Sequence, residues 1–181
     1  MTDLGGIVEN HKVVLDSYRS VSGSPQAAKL WMEWDSDWDH QANWSVLPVY
    51  ISEKLARDRY GKDLDYDFVV AMLSSVWTKL WLLLMKHFAP ENLALVAFSK
   101  LGPNQELKPH KHENPGHLIF HMGIDIPKGD IGIQTSYGKH AWENPTDWVL
   151  FDDNATHSAW NRTDRDRVVF YIDFIPSISL P

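Results

Sequence analysis

Residues 117–137 read HLIFHMGIDI-PKGD-IGIQTSY, and this stretch decides the class of fold. Two runs rich in branched and aromatic residues flank Pro127-Lys128-Gly129-Asp130, a combination of residues that favours a tight turn. Short runs of this kind, bounded by turn residues, are typical of β-strands. The stretch therefore predicts two strands joined by a turn.

The same alternation of short apolar runs and turns extends in both directions along the second half of the chain. Turn signals include Gly102-Pro103-Asn104 and Asn114-Pro115-Gly116. Many short strands with regular turns favour an antiparallel sandwich or jelly roll. The predicted strands cover residues 93–101, 107–110, 117–126, 131–137, 148–151, 157–161 and 168–175.

The chain before residue 93 has a different pattern and predicts a helical and irregular front end. Apolar residues recur at helical spacing over residues 67–87, with Asp65 or Asp67 placed to cap the start and Pro90 to mark the end. A shorter helix is predicted over residues 52–59, whereas the first 45 residues look irregular. We expect a single domain over residues 1–181, with residues 1–92 packing on a jelly-roll catalytic core of residues 93–176.

Composition and charge narrow the classes of function. The formal net charge of −7 argues against a nucleic-acid binder, which usually needs a basic face. Because the chain has no cysteine, a metal site would have to use His, Asp or Glu. The first ten residues lack a signal-peptide pattern, and residues 68–88 are better explained as a buried amphipathic helix than as a membrane span. We expect a cytoplasmic protein with no nucleic-acid or membrane partner.

Two histidines and an arginine, each on a predicted strand, form the leading candidate site. His121 and His157 offer neutral imidazoles, and two histidines with open coordination positions are typical of oxygen-activating non-haem iron. Arg167 offers a planar fork that can hold a carboxylate by two hydrogen bonds. Asp153, in the turn before His157, is a candidate to orient a metal-bound water. The set predicts an iron site that uses 2-oxoglutarate.

Two other interpretations stay open. His110-Lys111-His112 places two rings on one face of a strand and, with His157, would suit the metal of a cupin-like, non-oxidative enzyme. Replacing His112 with alanine would abolish metal binding in the cupin-like enzyme. The same replacement would have only a mild effect on an iron site formed by His121 and His157. The second alternative is a non-catalytic β-sandwich that stacks a ligand on tryptophans, which crowd one stretch at Trp31, Trp34, Trp38 and Trp44.

Several pieces of the second half occur together in a recognisable order. The most specific is Phe-Asp-Asp-x-x-x-His, ending at His157, with Arg167 downstream of it. The other pieces are FSKLGP at 98–103, Pro109-His110, HLIFHMGIDIP at 117–127, Trp142 and RVVFYID at 167–173. Residues 97–176 thereby resemble the aspartyl/asparaginyl β-hydroxylase family of iron(II)- and 2-oxoglutarate-dependent dioxygenases.

This resemblance implies a double-stranded β-helix with His121 and His157 as the iron ligands and Arg167 as the anchor for the 5-carboxylate of 2-oxoglutarate. Gly123 stands where most 2-oxoglutarate oxygenases carry an acidic ligand, which leaves a halogenase variant open. Where the family often carries an arginine that contacts the co-substrate, this chain has Gln134, with Ser136 nearby. His110 is then the candidate helper for the 1-carboxylate.

The activity that the resemblance implies consumes 2-oxoglutarate and O2, hydroxylates an unactivated carbon and releases succinate and CO2. The compact chain favours a small-molecule or amino-acid-type substrate. The tryptophan-rich front end suggests a further hypothesis, that aromatic walls keep the site dry and shape the substrate pocket.

Overall fold

The computed structural model describes residues 3–25, 30–33, 43–61 and 65–176 of the chain, without the side chains of residues 59 and 60. Helices and a short first strand dominate the part before residue 93, and strands dominate the part after it. The helices are α1 Leu4–Glu9, α2 His11–Ser22, α3 Glu53–Tyr60, α4 Tyr66–Val76 and α5 Thr78–His87, followed by a 3-10 turn at Pro90–Asn92. The strands are β1 Met32–Glu33, β2 Trp44–Ile51, β3 Leu93–Leu101, β4 Gln105–His110, β5 Leu118–Asp125, β6 Ile131–Thr135, β7 Gly138–Ala141, β8 Trp148–Asp152, β9 His157–Asn161 and β10 Arg167–Phe174.

The strands form two antiparallel sheets. The larger has the order β1-β2-β3-β10-β5-β8, and the smaller has the order β4-β9-β6-β7. From β3 onward the chain passes repeatedly from one sheet to the other, with only the β6–β7 hairpin staying within the smaller sheet. This alternation is the winding of a jelly roll. The predicted mainly β, jelly-roll fold with a helical N-terminal part is confirmed.

The larger sheet is covered on both faces. On its inner face, residues such as Ile119 and Val169 pack against Ile133 of the smaller sheet. On its outer face, the rings of Tyr18 in α2 and Trp77 next to α5 lie 4.9 Å and 5.5 Å from the ring of Phe98. Because side chains of a strand alternate between faces, each long strand contributes to both layers. The result is three layers: helices, large sheet and small sheet.

The front end contains more helix than the sequence pattern predicted, and one of its strands pairs directly with the β core. The irregular assignment of the first 45 residues is wrong where they are described, since α1 and α2 occupy most of residues 4–22. Asp3 caps α1 by accepting a hydrogen bond from the Gly6 amide, and Val14 of α2 is fully buried. Strand β2 pairs along the length of β3, so the front end supplies part of the large sheet itself.

The long helix predicted over residues 67–87 is two helices bent by 106° at Trp77. The hydroxyls of Ser74 and Thr78 donate to carbonyls one turn earlier, an arrangement that bends helices. Trp77 is buried and its indole N–H donates to the Pro48 carbonyl at 2.9 Å, which fixes the corner. The predicted cap is confirmed at Asp65, which accepts from the Phe68 amide at 3.0 Å.

None of the helices described is by itself long and apolar enough to span a membrane; α4 and α5 reach that length and hydropathy only as a bent pair.

Candidate metal and co-substrate site

A cavity between the two sheets brings together most of the residues predicted for the site. His110, His121, Asp153, His157 and Arg167 all line it. His110 is half-buried, whereas Arg167 is only 1% exposed. The cavity therefore has an outer end, reached by the strand β4, and an inner end at the start of β10.

Three histidines meet at the outer end. Antiparallel pairing of β4 with β9 sets His110 opposite His157, and their ring centroids lie 4.2 Å apart. The ring of His112, just beyond β4, lies 5.3 Å from that of His110 and 5.8 Å from that of His157. One nitrogen from each ring lies within 4.8 Å of the other two, and in the described part of the chain no other such group of three potential metal ligands occurs.

Hydrogen bonds set the tautomers of two of these rings. Nδ1 of His110 lies 2.6 Å from the Lys108 carbonyl oxygen, and Nδ1 of His157 lies 2.9 Å from the Ala155 carbonyl oxygen. Because a carbonyl can only accept, each Nδ1 carries the proton and each Nε2 keeps a lone pair. Burial lowers the pKa of His157, which favours its neutral form. Both rings are therefore prepared as metal ligands through Nε2.

Asp153 stabilises the outer end of the cavity through hydrogen bonds of its backbone and its carboxylate. Its carbonyl accepts from the His112 amide at 3.0 Å, and its own amide donates to the His117 carbonyl at 3.2 Å. Its carboxylate accepts from the side-chain amide of Asn114 at 2.9 Å and is 3% exposed within the cavity lining. The loop that carries His112 is thus held against the start of β9. Asn114, in a turn with no chemical signature, gave no signal in the sequence for this role.

Arg167 forms the inner end of the cavity. Its Nε and Nη1 atoms are buried and have no hydrogen-bond partner, and its guanidinium lies 5.4 Å from the ring centre of Trp142. Burial lowers the pKa of Arg167 to about 10, and no acidic group of the described residues offsets this effect. The side chain therefore remains charged at neutral pH. A buried charge of this kind calls for an anionic partner.

His121 lies beside this charge. Both of its ring nitrogens are buried without a hydrogen-bond partner, and aromatic rings surround it, with Tyr171 at 5.2 Å and Phe151 at 5.4 Å. Burial, followed by the positive charge of Arg167, holds the pKa of His121 well below its usual range. A neutral His121 has one N–H to donate. Unpartnered donors of two side chains at one closed end are suited to a ligand carboxylate.

The structure does not bring Gln134 and Ser136 to this cavity. Gln134 is exposed on the outer face of the small sheet, and its side-chain amide donates to the Thr135 carbonyl at 2.9 Å. Ser136 is exposed in the turn after β6. The cause is the alternation along β6, which turns Ile133 inward and Gln134 outward. The position predicted for a co-substrate contact therefore faces away from the site.

The tryptophans of the front end divide between two places. Trp44 lines the cavity, where its indole N–H donates to the hydroxyl of Ser99 at 2.9 Å. Trp31 is partly buried and packs against the core cluster, and the amino group of Lys100 lies 4.6 Å from its ring centre. Trp34 and Trp38 lie outside the described residues. Of the tryptophans in this hypothesis, Trp44 thus lines the cavity, and Ser99 lies beside it because β3 turns that residue inward.

Comparison with solved structures gives distant similarities. A cupin domain of a transcriptional regulator from Enterobacter cloacae is 14% identical, with a TM-score of 0.39 over 46% of this chain and 82% of that chain. AerE from Microcystis aeruginosa is 21% identical, with a TM-score of 0.40 over 52% of this chain and 41% of that chain. The fold itself rests on the sheet topology described above.

Comparison with known sequences gives nearer relatives. The ornithine lipid ester-linked acyl 2-hydroxylase of Rhizobium tropici is 31% identical over 91 residues, which are 49% of this chain and 32% of the relative. The aspartyl/asparaginyl beta-hydroxylase of Mus musculus is 27% identical over 78 residues, which are 43% of this chain and 10% of the relative. The matches thus span about a third and a tenth of the lengths of these relatives.

One family model matches almost the whole chain. The aspartyl/asparaginyl beta-hydroxylase model covers residues 9–176, so it includes the helical front end from α2 onward as well as both sheets. The family predicted from the motifs is confirmed, and its relatives are named as hydroxylases. The chain belongs to the aspartyl/asparaginyl β-hydroxylase family.

Proposed function

We propose that this protein is an iron(II)- and 2-oxoglutarate-dependent hydroxylase, with the metal at the outer end of the cavity and the distal carboxylate of 2-oxoglutarate at its inner end. The observation that carries the proposal is one cavity with two chemically different ends. Three clustered histidines form the first end, and the unpartnered donors of His121 and Arg167 form the second. Membership of a hydroxylase family supports the same assignment.

The proposed metal ligands are His110, His112 and His157. This set differs from the pair His121 and His157 expected from the motifs; it is supported by the three ring nitrogens that lie within 4.8 Å of one another, a group that does not include His121. Imidazole nitrogens suit Fe(II), and the prepared Nε2 atoms of His110 and His157 fit a metal. A bound iron would supply the activation of dioxygen, for which protein side chains have no chemistry of their own.

The proposed anchor for the 5-carboxylate is Arg167, assisted by His121. The guanidinium fork can donate two parallel hydrogen bonds to a carboxylate, and the N–H of neutral His121 can donate a third. A carboxylate here would neutralise the buried charge, which has no acidic partner among the described residues. His110, expected as a helper for the 1-carboxylate, is assigned to the metal instead.

The other residues of the cavity keep water out and position the reactants. Leu107, Ile119, Ile133 and Phe151 line the walls between the two ends. Apolar walls exclude water, which strengthens the electrostatic contacts inside and prevents side reactions. In the proposed reaction one oxygen atom of O2 enters the substrate as a hydroxyl, and the other enters succinate as 2-oxoglutarate loses CO2.

The proposed substrate is a small molecule or an amino-acid-type molecule. The two relatives are named for hydroxylation of an acyl chain of an ornithine lipid and of aspartyl or asparaginyl residues. Both names describe a molecule that contains an amino-acid unit. This common element supports an amino-acid-containing substrate for the present chain as well.

The test is an anaerobic titration of the protein with Fe(II) and 2-oxoglutarate, followed by the visible charge-transfer band of the chelate. We expect a band in the wild type, its loss in His110→Ala and His157→Ala, and a band only at much higher 2-oxoglutarate concentration in Arg167→Met. Gln134→Ala, on the outer face, is the control and should behave as wild type.

Two outcomes would redirect the assignment. If His121→Ala abolishes iron binding and His110→Ala does not, iron is held by His121 and His157. If folded wild type binds metal at the three histidines without a band, the non-oxidative cupin-like alternative, which the histidine cluster also supports, takes over.

A further inference from the structure

A second cavity, of about 290 Å³, lies at the end of the large sheet where β5 begins and β10 ends. Its lining includes the charged or titratable residues Lys54, Asp58, Glu91, His117 and Asp173. We propose that this cavity binds the ammonium group of an amine and that, in the proposed reaction, it holds the amino group of the substrate. The assignment to the substrate rests on the proposed function, whereas binding of an amine does not.

A buried carboxylate is the central feature of this second cavity. The side chain of Asp173 is 10% exposed, and its Oδ1 accepts a hydrogen bond from Nδ1 of His117 at 2.7 Å. Among the described residues no donor reaches its other oxygen, Oδ2. Burial raises the pKa of Asp173 to about 6, although the hydrogen bond from His117 acts in the opposite direction. A buried carboxylate with one unpartnered oxygen calls for a cationic donor.

The other charges of the lining favour a cation as well. Asp58 and Glu91 stand exposed at the rim, and neither has a cationic partner among the described residues. Lys54 is the one lysine of the lining, which therefore holds three carboxylates against a single amino group. A cleft lined mainly by one sign of charge concentrates ligands of the opposite sign. In its neutral form His117, with its proton on Nδ1, keeps a lone pair on Nε2 that can accept a second hydrogen bond from an ammonium group.

The second cavity adjoins the outer end of the first. Asn114 lines the second cavity, and its side-chain amide donates at 2.9 Å to the carboxylate of Asp153, which lines the first. The amide of Asp153 donates to the carbonyl of His117 at 3.2 Å. The two cavities thus share a hydrogen-bonded wall next to the histidine cluster. An amino group held by Asp173 would leave the rest of a substrate molecule beside the end of the first cavity where the metal is proposed.

The site is tested by NMR on the full chain without added metal, with n-butylammonium chloride as the probe. The imidazole signals of His117, identified by their absence in His117→Gln, are followed in isotope-labelled protein at a pH of about 7.5, where Asp173 is ionised. We expect a saturable shift in the wild type and no such shift with n-butanol, which has a similar shape without the charge. Hydrogen bonds to charged groups contribute enough that Asp173→Asn, which keeps an acceptor for His117, should weaken amine binding by about 10- to 100-fold.

Asp164→Asn is the matched control, because Asp164 is an exposed carboxylate outside the lining, and it should bind the amine as the wild type does. Circular dichroism checks that each variant is folded. An absent shift in the folded wild type, or an equal affinity in folded Asp173→Asn, would overturn the amine site.

The assignment to the substrate has its own measurement. In protein carrying Fe(II) and 2-oxoglutarate without oxygen, n-butylammonium should change the charge-transfer band over the same concentrations that shift the His117 signals. A saturable shift of His117 with an unchanged band would refute the role in substrate binding and leave the amine site. If no band forms at all, the proposed function fails, and the NMR titration still decides whether the cavity binds an amine.

Discussion

Arg167 is the residue whose placement is hardest to explain without a ligand. Its charged side chain is 1% exposed, and two of its donor nitrogens have no partner. Burying an uncompensated charge costs several kcal/mol, so a structural role alone would favour an apolar residue here. The cation–aromatic contact with Trp142 recovers only about 0.5–2 kcal/mol of this cost. The remaining cost of burying the charge is explained if Arg167 is retained to bind an anion.

Replacing Arg167 with Met tests, through the free energy of unfolding, whether the buried charge is unfavourable without a ligand. Without ligand, Arg167→Met should leave the free energy of unfolding unchanged or raise it by about 1–4 kcal/mol, because the buried charge is removed and the volume kept. In the wild type, iron-loaded protein with 2-oxoglutarate at about 100 times its Kd should gain about 2.7 kcal/mol, and the variant should lose this gain. Urea unfolding with and without 2-oxoglutarate measures both effects.

Arg162→Met is the control for this experiment. Arg162 is exposed and pairs with Glu106 and Asp130 on the surface. Its replacement should change stability by less than about 1 kcal/mol and preserve the gain from 2-oxoglutarate. A large loss of stability in ligand-free Arg167→Met would show that the arginine is structural.

His121 makes the stability of the ligand-free protein depend on pH. Burial and the nearby Arg167 hold the pKa of folded His121 well below its usual range, so the unfolded chain binds a proton that the folded chain does not. The contribution to stability is therefore present above pH of about 6.5 and is lost as the pH falls below it. One such proton corresponds to a slope of about 1.4 kcal/mol per pH unit.

Urea unfolding at several pH values between about 5 and 7.5 should show this slope in the wild type, and His121→Asn should have a smaller one. His157 and His140, whose pKa values burial also lowers, remain in the variant and leave part of the dependence. Equal slopes in the two proteins would mean that His121 does not stay neutral in the folded state.

At the scale of elements, the strands of the second half and the helical segments after residue 52 were predictable, whereas the first two helices were not. Residues 93–101 and 157–161 were predicted with their observed bounds, because apolar runs between Gly, Pro and Asn turns determine strands locally. The helices α1 and α2 depend on packing against α5 and the large sheet, a long-range effect that local patterns do not contain.

The site residues show the same division. The direction of a side chain is set within one strand, whereas the grouping of residues depends on pairing between distant strands. The inward direction of His121, opposite to Phe120 and Met122, follows from alternation along one strand, and the structure agrees. The pairing of His110 with His157 depends on the register of β4 against β9, which includes a bulge before His110. Residue types do not reveal the register between strands that are distant in sequence. The grouping of His110 and His112 with His157 could therefore be stated from the sequence only as an alternative.

The corner at Trp77 gives a prediction at this scale. Trp77→Ala should lower the free energy of unfolding by about 3–5 kcal/mol, because a large ring that contacts Phe98 leaves a cavity. Trp77→Phe keeps the aromatic packing and loses the hydrogen bond to the Pro48 carbonyl, a cost of about 1–3 kcal/mol. Leu82→Ala, at a residue 59% exposed on α5, should stay within about 0.5 kcal/mol. Denaturant unfolding monitored by far-UV circular dichroism distinguishes these three outcomes.

At the scale of the whole molecule, we expect the front end and the β core to behave as one cooperative unit. The large sheet presents an apolar outer face that the helices cover, and β2 continues the sheet beyond β3. A core cut at residue 93 would expose this face and leave β3 as an open edge, both of which promote aggregation. We therefore expect the boundary between residues 92 and 93 to be a change of sequence pattern and not a boundary between folding units.

Expressing residues 93–176 alone tests this conclusion. The fragment keeps the residues assigned to metal and 2-oxoglutarate, but Phe98, Phe120 and Phe170 on the outer face lose their cover. We expect it to be aggregated or to unfold without a cooperative transition, whereas the full chain unfolds in one step. The fragment 43–176, which restores β2 and helices α3–α5, should recover part of the cooperativity and remain less stable than the full chain. A monomeric, cooperatively unfolding 93–176 that binds Fe(II) would show instead that the site needs only the two sheets, and that the helical layer serves another purpose such as substrate selection.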